Sequence, residues 1–220
     1  MIENINKYIE HTVLSAFATE KDVERVCAEA KKYNFASVCV NSMYVKKVAE
    51  LLSGSEVNVC TVIGFPLGAA STAAKAAEAE AAYADGCEEF DMVIAVGALK
   101  EGRLDYVRDD IAAVVKAAKG RTVKVIIETA YLTDEEKITA CKLCVEAGAH
   151  FVKTCTGFST AKDSENKATV HDVALMKANI PSSMNVKASA GIRSYAEAEA
   201  LILAGADRLG TSAGVKIVEG

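Results

Sequence analysis

Apolar positions along this chain switch repeatedly between two periods. Short runs rich in β-branched residues read as buried strands, and between them apolar residues recur at the three- and four-residue spacing of a helix face. The strands fall at Tyr8–Leu14, Ala36–Val40, Val57–Phe65, Glu89–Ile94, Val123–Glu128, a short run ending at Lys153, Asn185–Ser189 and Arg208–Thr211. Helices are expected at 20–32, where Val23, Val26, Cys27 and Ala30 share a face, and at 44–52, 72–84, 104–118 and 170–178. Two more run from Thr133 to Gly148 and from Ser194 to Gly205, each opened by a capping box, Thr133 with Glu136 and Ser194 with Glu197. Glycines at 86, 120, 148 and 205 supply the stops.

Strand and helix therefore alternate along the whole chain, which demands parallel strands joined by crossover helices. Eight units of about 27 residues fit one (β/α)8 barrel domain over 1–220, near the lower size limit of that fold. A doubly wound open sheet is the rival. It usually carries G-x-G-x-x-G after its first strand, and that motif is absent here.

Composition narrows the class. An apolar content of 51% supports one large core, while a net charge of −5 argues against a nucleic-acid surface. There is no apolar run long enough to span a membrane, and the N-terminal M-I-E-N-I-N-K-Y-I-E is too acidic for a signal peptide. The expectation is a cytoplasmic protein. Seven cysteines, an odd set lying mostly in apolar runs, fit a reducing compartment better than a disulfide framework. Cys141-x-x-Cys144 has no second pair or histidine cluster nearby, so it reads as helix packing rather than a metal or redox site.

The candidate chemistry centres on A-G-A-H-F-V-K-T-C-T-G-F, residues 147–158. A lysine ending a buried strand must be paired, or held neutral and therefore nucleophilic. In a barrel, function gathers at the C-terminal ends of the strands, which marks Glu10, Asp91, Glu128, Lys153 and Lys187. Each alone could be half of a structural ion pair. Lys153 and Lys187 lie on neighbouring strands, where two ammonium groups disfavour double protonation, and Asp91, facing the same mouth, could shuttle protons. That set suits Schiff-base chemistry. Turns at Thr156-Gly157, Ser189-Ala190-Gly191 and Gly210–Gly214 suit an anion, the last two standing where barrels commonly bind phosphate. Gly210–Gly214 also matches G-x-S-x-G, but no aspartate and histidine follow it, which removes a hydrolase elbow. His11, His150 and His171 have no metal-ligand spacing; His11 is expected to shape the mouth of the barrel.

The runs V-C-T-V-I-G-F-P-L-G, E-F-D-M-V-I, F-V-K-T-C-T-G-F-S-T, V-K-A-S-A-G-I-R and R-L-G-T-S-A-G closely resemble deoxyribose-phosphate aldolase, over nearly the whole chain and in order. The resemblance implies reversible cleavage of 2-deoxy-D-ribose 5-phosphate to D-glyceraldehyde 3-phosphate and acetaldehyde. It assigns the Schiff base to Lys153, the lowering of that lysine's pKa to Lys187 and proton transfer to Asp91. Family phosphate contacts map to Gly157, Gly191, Gly210 and Ser212, and the reading of the turns adds Thr156 and Ala190. It implies no metal or organic cofactor, a small sugar phosphate as partner, and a homodimer or larger homo-oligomer. The rivals are a phosphate-binding sugar-phosphate isomerase or epimerase, and a barrel that only binds a phosphorylated metabolite.

Several positions depart from the family pattern: Ala190 where a glycine is usual, Glu10 for aspartate, L-S-A at 14–16 for L-K-P, Cys155 for serine, and a loop at Lys162–Lys167 that looks longer. The Ala190 methyl is expected to narrow the phosphate turn or tilt its N–H groups.

Overall fold

The computed structural model describes residues 2–161 and 166–220; four residues of the expected longer loop at Lys162–Lys167 lie outside them. Eight strands form a closed parallel barrel in sequence order: β1 Ile9–Val13, β2 Ser37–Val40, β3 Asn58–Ile63, β4 Glu89–Val93, β5 Thr122–Ile126, β6 Phe151–Lys153, β7 Asn185–Ser189 and β8 Arg208–Thr211. The ring closes where β1 pairs with β8, Glu10 opposite Gly210. This is the expected TIM barrel, not an open sheet.

The outer layer comprises α1 Glu20–Tyr33, α2 Val45–Leu52, α3 Thr72–Ala84, α4 Val96–Lys100, α5 Leu104–Ala117, α6 Asp134–Glu146, α7 Val170–Ala178, α8 Tyr195–Leu203 and α9 Gly214–Glu219. The Thr133 capping box is complete: Thr133 N–H donates to Glu136 at 2.8 Å and the Thr133 hydroxyl caps the helix in return. At α8 the Ser194 hydroxyl caps as expected, but Glu197 reaches one residue further back, to Arg193 N–H at 2.8 Å, so the box is not closed on the cap residue. Two helices were not expected. α4 is a single short helix inside a loop, and α9 follows β8 directly, using V-K-I-V-E with Ile217 buried. Both are too short for helical periodicity to stand out.

The apolar core lies mainly between the barrel wall and the helices, because alternate strand residues such as Val38, Phe90, Val125, Val152 and Leu209 point outward into it. The opposite parity faces the barrel axis. There the small apolar cluster of Cys39, Cys60 and Val62 gives way to charges: Glu10, Glu89, Asp91, Lys124, Lys153 and Lys187 are all buried. Buried charges at this density persist only when each is paired.

Candidate active site

Strand register brings the charges together. Asp91 on β4 stands opposite Lys124 on β5, and Lys153 on β6 opposite Lys187 on β7. Asp91 is the hub. Its Oδ2 accepts from Lys153 Nζ and Lys187 Nζ, each at 2.6 Å, while Oδ1 accepts from Lys124 Nζ at 3.1 Å and from the Cys60 thiol at 3.4 Å. Lys124 also donates to Glu89 at 2.5 Å and to Glu10 at 3.1 Å, and Lys187 donates to Glu10. Three carboxylates thus face three lysine side chains. On β8, Gly210 leaves room for the Lys187 stem: a Cβ there would lie 3.0 Å from Lys187 Cε.

The electrostatics fix most of these charges. Burial alone would push the Asp91 carboxyl up, but Lys124, Lys153 and Lys187 outweigh it and hold the group well below the usual carboxylate range. Glu10 is lowered for the same reason, chiefly by Lys124 and Lys187 against burial. Burial opposes the charge on Lys187 and Lys124, yet Asp91, Glu10 and their neighbours hold both ammonium groups above the ordinary lysine value. The floor of the barrel is therefore an array of fixed charges.

Above the floor opens a cavity of about 420 Å³. Lys153 lines it, whereas Asp91, Lys124 and Lys187 lie beneath, fully buried. Of the expected anion-binding residues, Thr156, Ala190, Gly191, Gly210 and Ser212 share that lining with Lys153. Gly157 stands just behind, where an added Cβ would meet the Ala190 methyl at 3.5 Å. Ala190 takes the left-handed backbone, φ 77°, which explains why glycine is the natural residue for this turn.

Glu128 does not join the lysine cluster. It lies past the end of β5 in the left-handed conformation, φ 57°, and its carboxylate accepts from both the amide and the hydroxyl of Thr156. Burial pushes its carboxyl up against those hydrogen bonds. Thr156 Oγ1 in turn accepts from Phe158 N at 3.0 Å. Thr156 therefore supports the turn: its own donors point to Glu128, not to an anion.

The other candidates fall into place. His11 Nε2 lies 2.6 Å from Glu29, His150 Nδ1 accepts from Val123 N at 3.1 Å, and His171 pairs with Asp134 at the surface. All seven cysteines are free and buried, Cys141 and Cys144 within α6. Cys39, Cys60 and Asp91 bring three ligand-type atoms within 4.8 Å, but Lys124 Nζ already sits 3.6 Å from Cys60 and 3.1 Å from Asp91, where a metal cation would have to go. The donor set fits an ammonium better than a metal.

Lys124 is the central residue that sequence reasoning passed over, together with its partner Glu89. The signal was present: E-F-D and V-K-V carry charge at one parity of otherwise apolar strands, which marks an inward-facing charged layer.

A fold of this class, with a lysine–carboxylate core beneath a cavity bounded by the turns after strands six to eight, defines a barrel enzyme working on a small anionic substrate. Residues 5–218 match the model of the DeoC/LacD family of aldolases, and the chain belongs to that family. It is accordingly a carbon–carbon lyase. It is 57% identical to a deoxyribose-phosphate aldolase of Bdellovibrio bacteriovorus, over 98% of this chain and 96% of that protein. It is 58% identical to the deoxyribose-phosphate aldolase of Carboxydothermus hydrogenoformans, over 98% and 94%. The tetrameric deoxyribose phosphate aldolase structure from Aeropyrum pernix superposes with a TM-score of 0.89 at 35% identity, covering 98% of this chain and 89% of that one. Isomerase, epimerase and binding-only readings are not favoured by these likenesses.

Proposed function

We propose that this chain reversibly cleaves 2-deoxy-D-ribose 5-phosphate to D-glyceraldehyde 3-phosphate and acetaldehyde, through a Schiff base on Lys153, as a step in the breakdown of deoxyribose phosphates. The observation that carries the nucleophile is positional: within the charge cluster, Lys153 is the amine that reaches the cavity. Lys187 and Lys124 are held charged beneath it.

The geometry supports the following sequence. The neutral Lys153 amine adds to the C1 carbonyl, and loss of water gives the iminium. Removal of the C3 hydroxyl proton breaks C2–C3; the electron pair moves into an enamine conjugated with the nitrogen, releasing glyceraldehyde 3-phosphate. C2 is then protonated, and water hydrolyses the imine to acetaldehyde and free lysine. Asp91 Oδ2 is 2.6 Å from both Lys153 and Lys187, so it can pass protons between them, with Lys187 as the ammonium reservoir. The Ala190-Gly191 and Gly210–Ser212 turns, with Gly157 behind them, receive the phosphate. One barrel domain suffices for all of this.

Two coarser expectations accompany this reading. The tetrameric relative supports a homo-oligomer. The seven free, buried cysteines suit a reducing cytoplasm, and among the described residues no helix is long and apolar enough to cross a membrane.

Borohydride reduction in the presence of deoxyribose 5-phosphate, followed by peptide mass mapping, tests the mechanism. An adduct on Lys153 is expected. An adduct on Lys187 would exchange the two lysine roles, and a folded enzyme with no adduct would remove the Schiff base.

A further inference from the structure

We propose that Arg25 on α1 is a specificity-determining cation for the substrate's phosphate, held in position by Glu29 and His11. The inference deepens the substrate reading above and rests on it.

Backbone N–H groups can cradle a phosphate dianion, and a compensating charge with directed donors strengthens the hold. Among the described residues lining the cavity, the cationic side chains are Lys153, Arg25 and Arg193, and the one carboxylate is Asp22. Lys153 is committed to the carbonyl end of the substrate. Asp22 is turned to its helix cap, accepting from Thr19 N at 2.9 Å and Thr19 Oγ1 at 2.7 Å. Arg193 sits at the entrance to α8, beside the Glu197 carboxylate that takes its backbone N–H.

Arg25 differs in being anchored to the barrel wall. Its Nη1 lies 3.2 Å from each oxygen of Glu29, leaving the other guanidinium donors free of that contact. Glu29 Oε2 is in turn 2.6 Å from Nε2 of His11, which is buried on β1 next to Glu10 and packs edge-on to Phe35. Burial depresses the imidazole pKa and keeps the ring neutral, so Nε2–H donates to an ionised Glu29. The other ring nitrogen faces Gly214, where a Cβ would come within 2.9 Å.

Placement supplies the ligand. A second cavity of about 410 Å³ adjoins the first, on the His11 and Glu29 side, and Arg25 and Ser212 line both. Arg25, its side chain half exposed, therefore stands at their shared edge beside the turn after β8, where the phosphate is expected. An arginine suits a phosphate because its planar fork offers two parallel donors.

The test compares deoxyribose 5-phosphate with 2-deoxyribose, the same sugar without the charge, as substrates of Arg25→Ala, Arg25→Lys and Glu29→Gln. For Arg25→Ala, KM for the phosphorylated sugar should rise roughly 10- to 100-fold, while kcat/KM for 2-deoxyribose stays within about two-fold of wild type. Arg25→Lys should recover part of the loss, and Glu29→Gln should lose less than Arg25→Ala. Equal losses on both sugars, or no change on either, would overturn the assignment. Calorimetric binding of inorganic phosphate separates this from failure of the substrate reading. Weaker phosphate binding by Arg25→Ala supports the cation even if wild type cleaves neither sugar, and unchanged binding overturns it.

Discussion

Lys153 and Lys187 share a single oxygen of Asp91, each 2.6 Å from Oδ2, across directly paired strands. The two amines are not equivalent. Lys187 also donates to Glu10 and has no surface, whereas Lys153 lines the cavity. In the proposed mechanism Lys153 is the reacting group and Lys187 the buried ammonium behind it.

This asymmetry predicts the pH dependence of Lys187→Leu. A fixed cation beside an amine favours that amine's neutral form. Removing it leaves Glu10 and Asp91 with one ammonium fewer, so the barrel floor becomes more negative. The acid limb of kcat/KM against pH should move to higher pH by about one unit or more, since neighbouring charges commonly shift a pKa by that much. Steady-state rates between pH 6 and about 10 measure the limb. A variant with an unmoved limb would mean that Lys187 acts only as a proton donor.

Asp91→Asn should cost stability as well as turnover, because Asp91 accepts from Lys124, Lys153 and Lys187 at once. The loss at pH 7 is expected to be about 3 kcal/mol, the scale for removing one partner of a buried ion pair. Its sign with pH follows from linkage. The folded carboxyl titrates below the ordinary 3.8, so its stabilisation is complete above that value and is lost only as pH falls further. The gap in thermal midpoint between wild type and Asp91→Asn should hold from pH 7 to about pH 4 and narrow below it. Thermal melts across that range check it; a gap that widens at low pH would contradict the ionised hub.

The same cluster shows what the sequence discloses and what it hides. Most strands are legible from their β-branched runs, the Thr133 capping box and the Ser194 cap from residue type alone, and Lys153, Asp91 and Lys187 stand out as charges on apolar strands. Lys124 is hidden because it sits inside β5, below the strand end where barrel chemistry gathers. Attention to the C-terminal ends of strands selected Glu128, which in fact lies past β5 and holds Thr156, while the inward parity of V-K-V-I-I places Lys124 deeper, on the barrel floor. Arg25 and Glu29 were hidden for a different reason. They sit on the outer helix α1 among other charges, and only closure of β1 against β8 sets Arg25 beside Ser212.

The left-handed backbone decides the part played by Ala190. At φ 77° an alanine costs roughly 1 kcal/mol relative to a glycine, because its methyl crowds the backbone. Glycine would release that strain but gain about 0.5–1 kcal/mol of unfolded-state freedom, so the two effects nearly cancel. Ala190→Gly should therefore leave the thermal midpoint within about 3 °C of wild type. Binding should change more than stability. The Ala190 methyl faces Gly157 across the two turns, and Ala190 O accepts from Ala168 N at 3.0 Å, which pins the turn from one side. Without the methyl the turn can settle its N–H groups around the anion. KM for deoxyribose 5-phosphate should fall about two- to five-fold at unchanged kcat, the scale of improving one hydrogen bond. A parallel fall in KM for 2-deoxyribose would show that the methyl restricts the whole cavity instead of the phosphate turn.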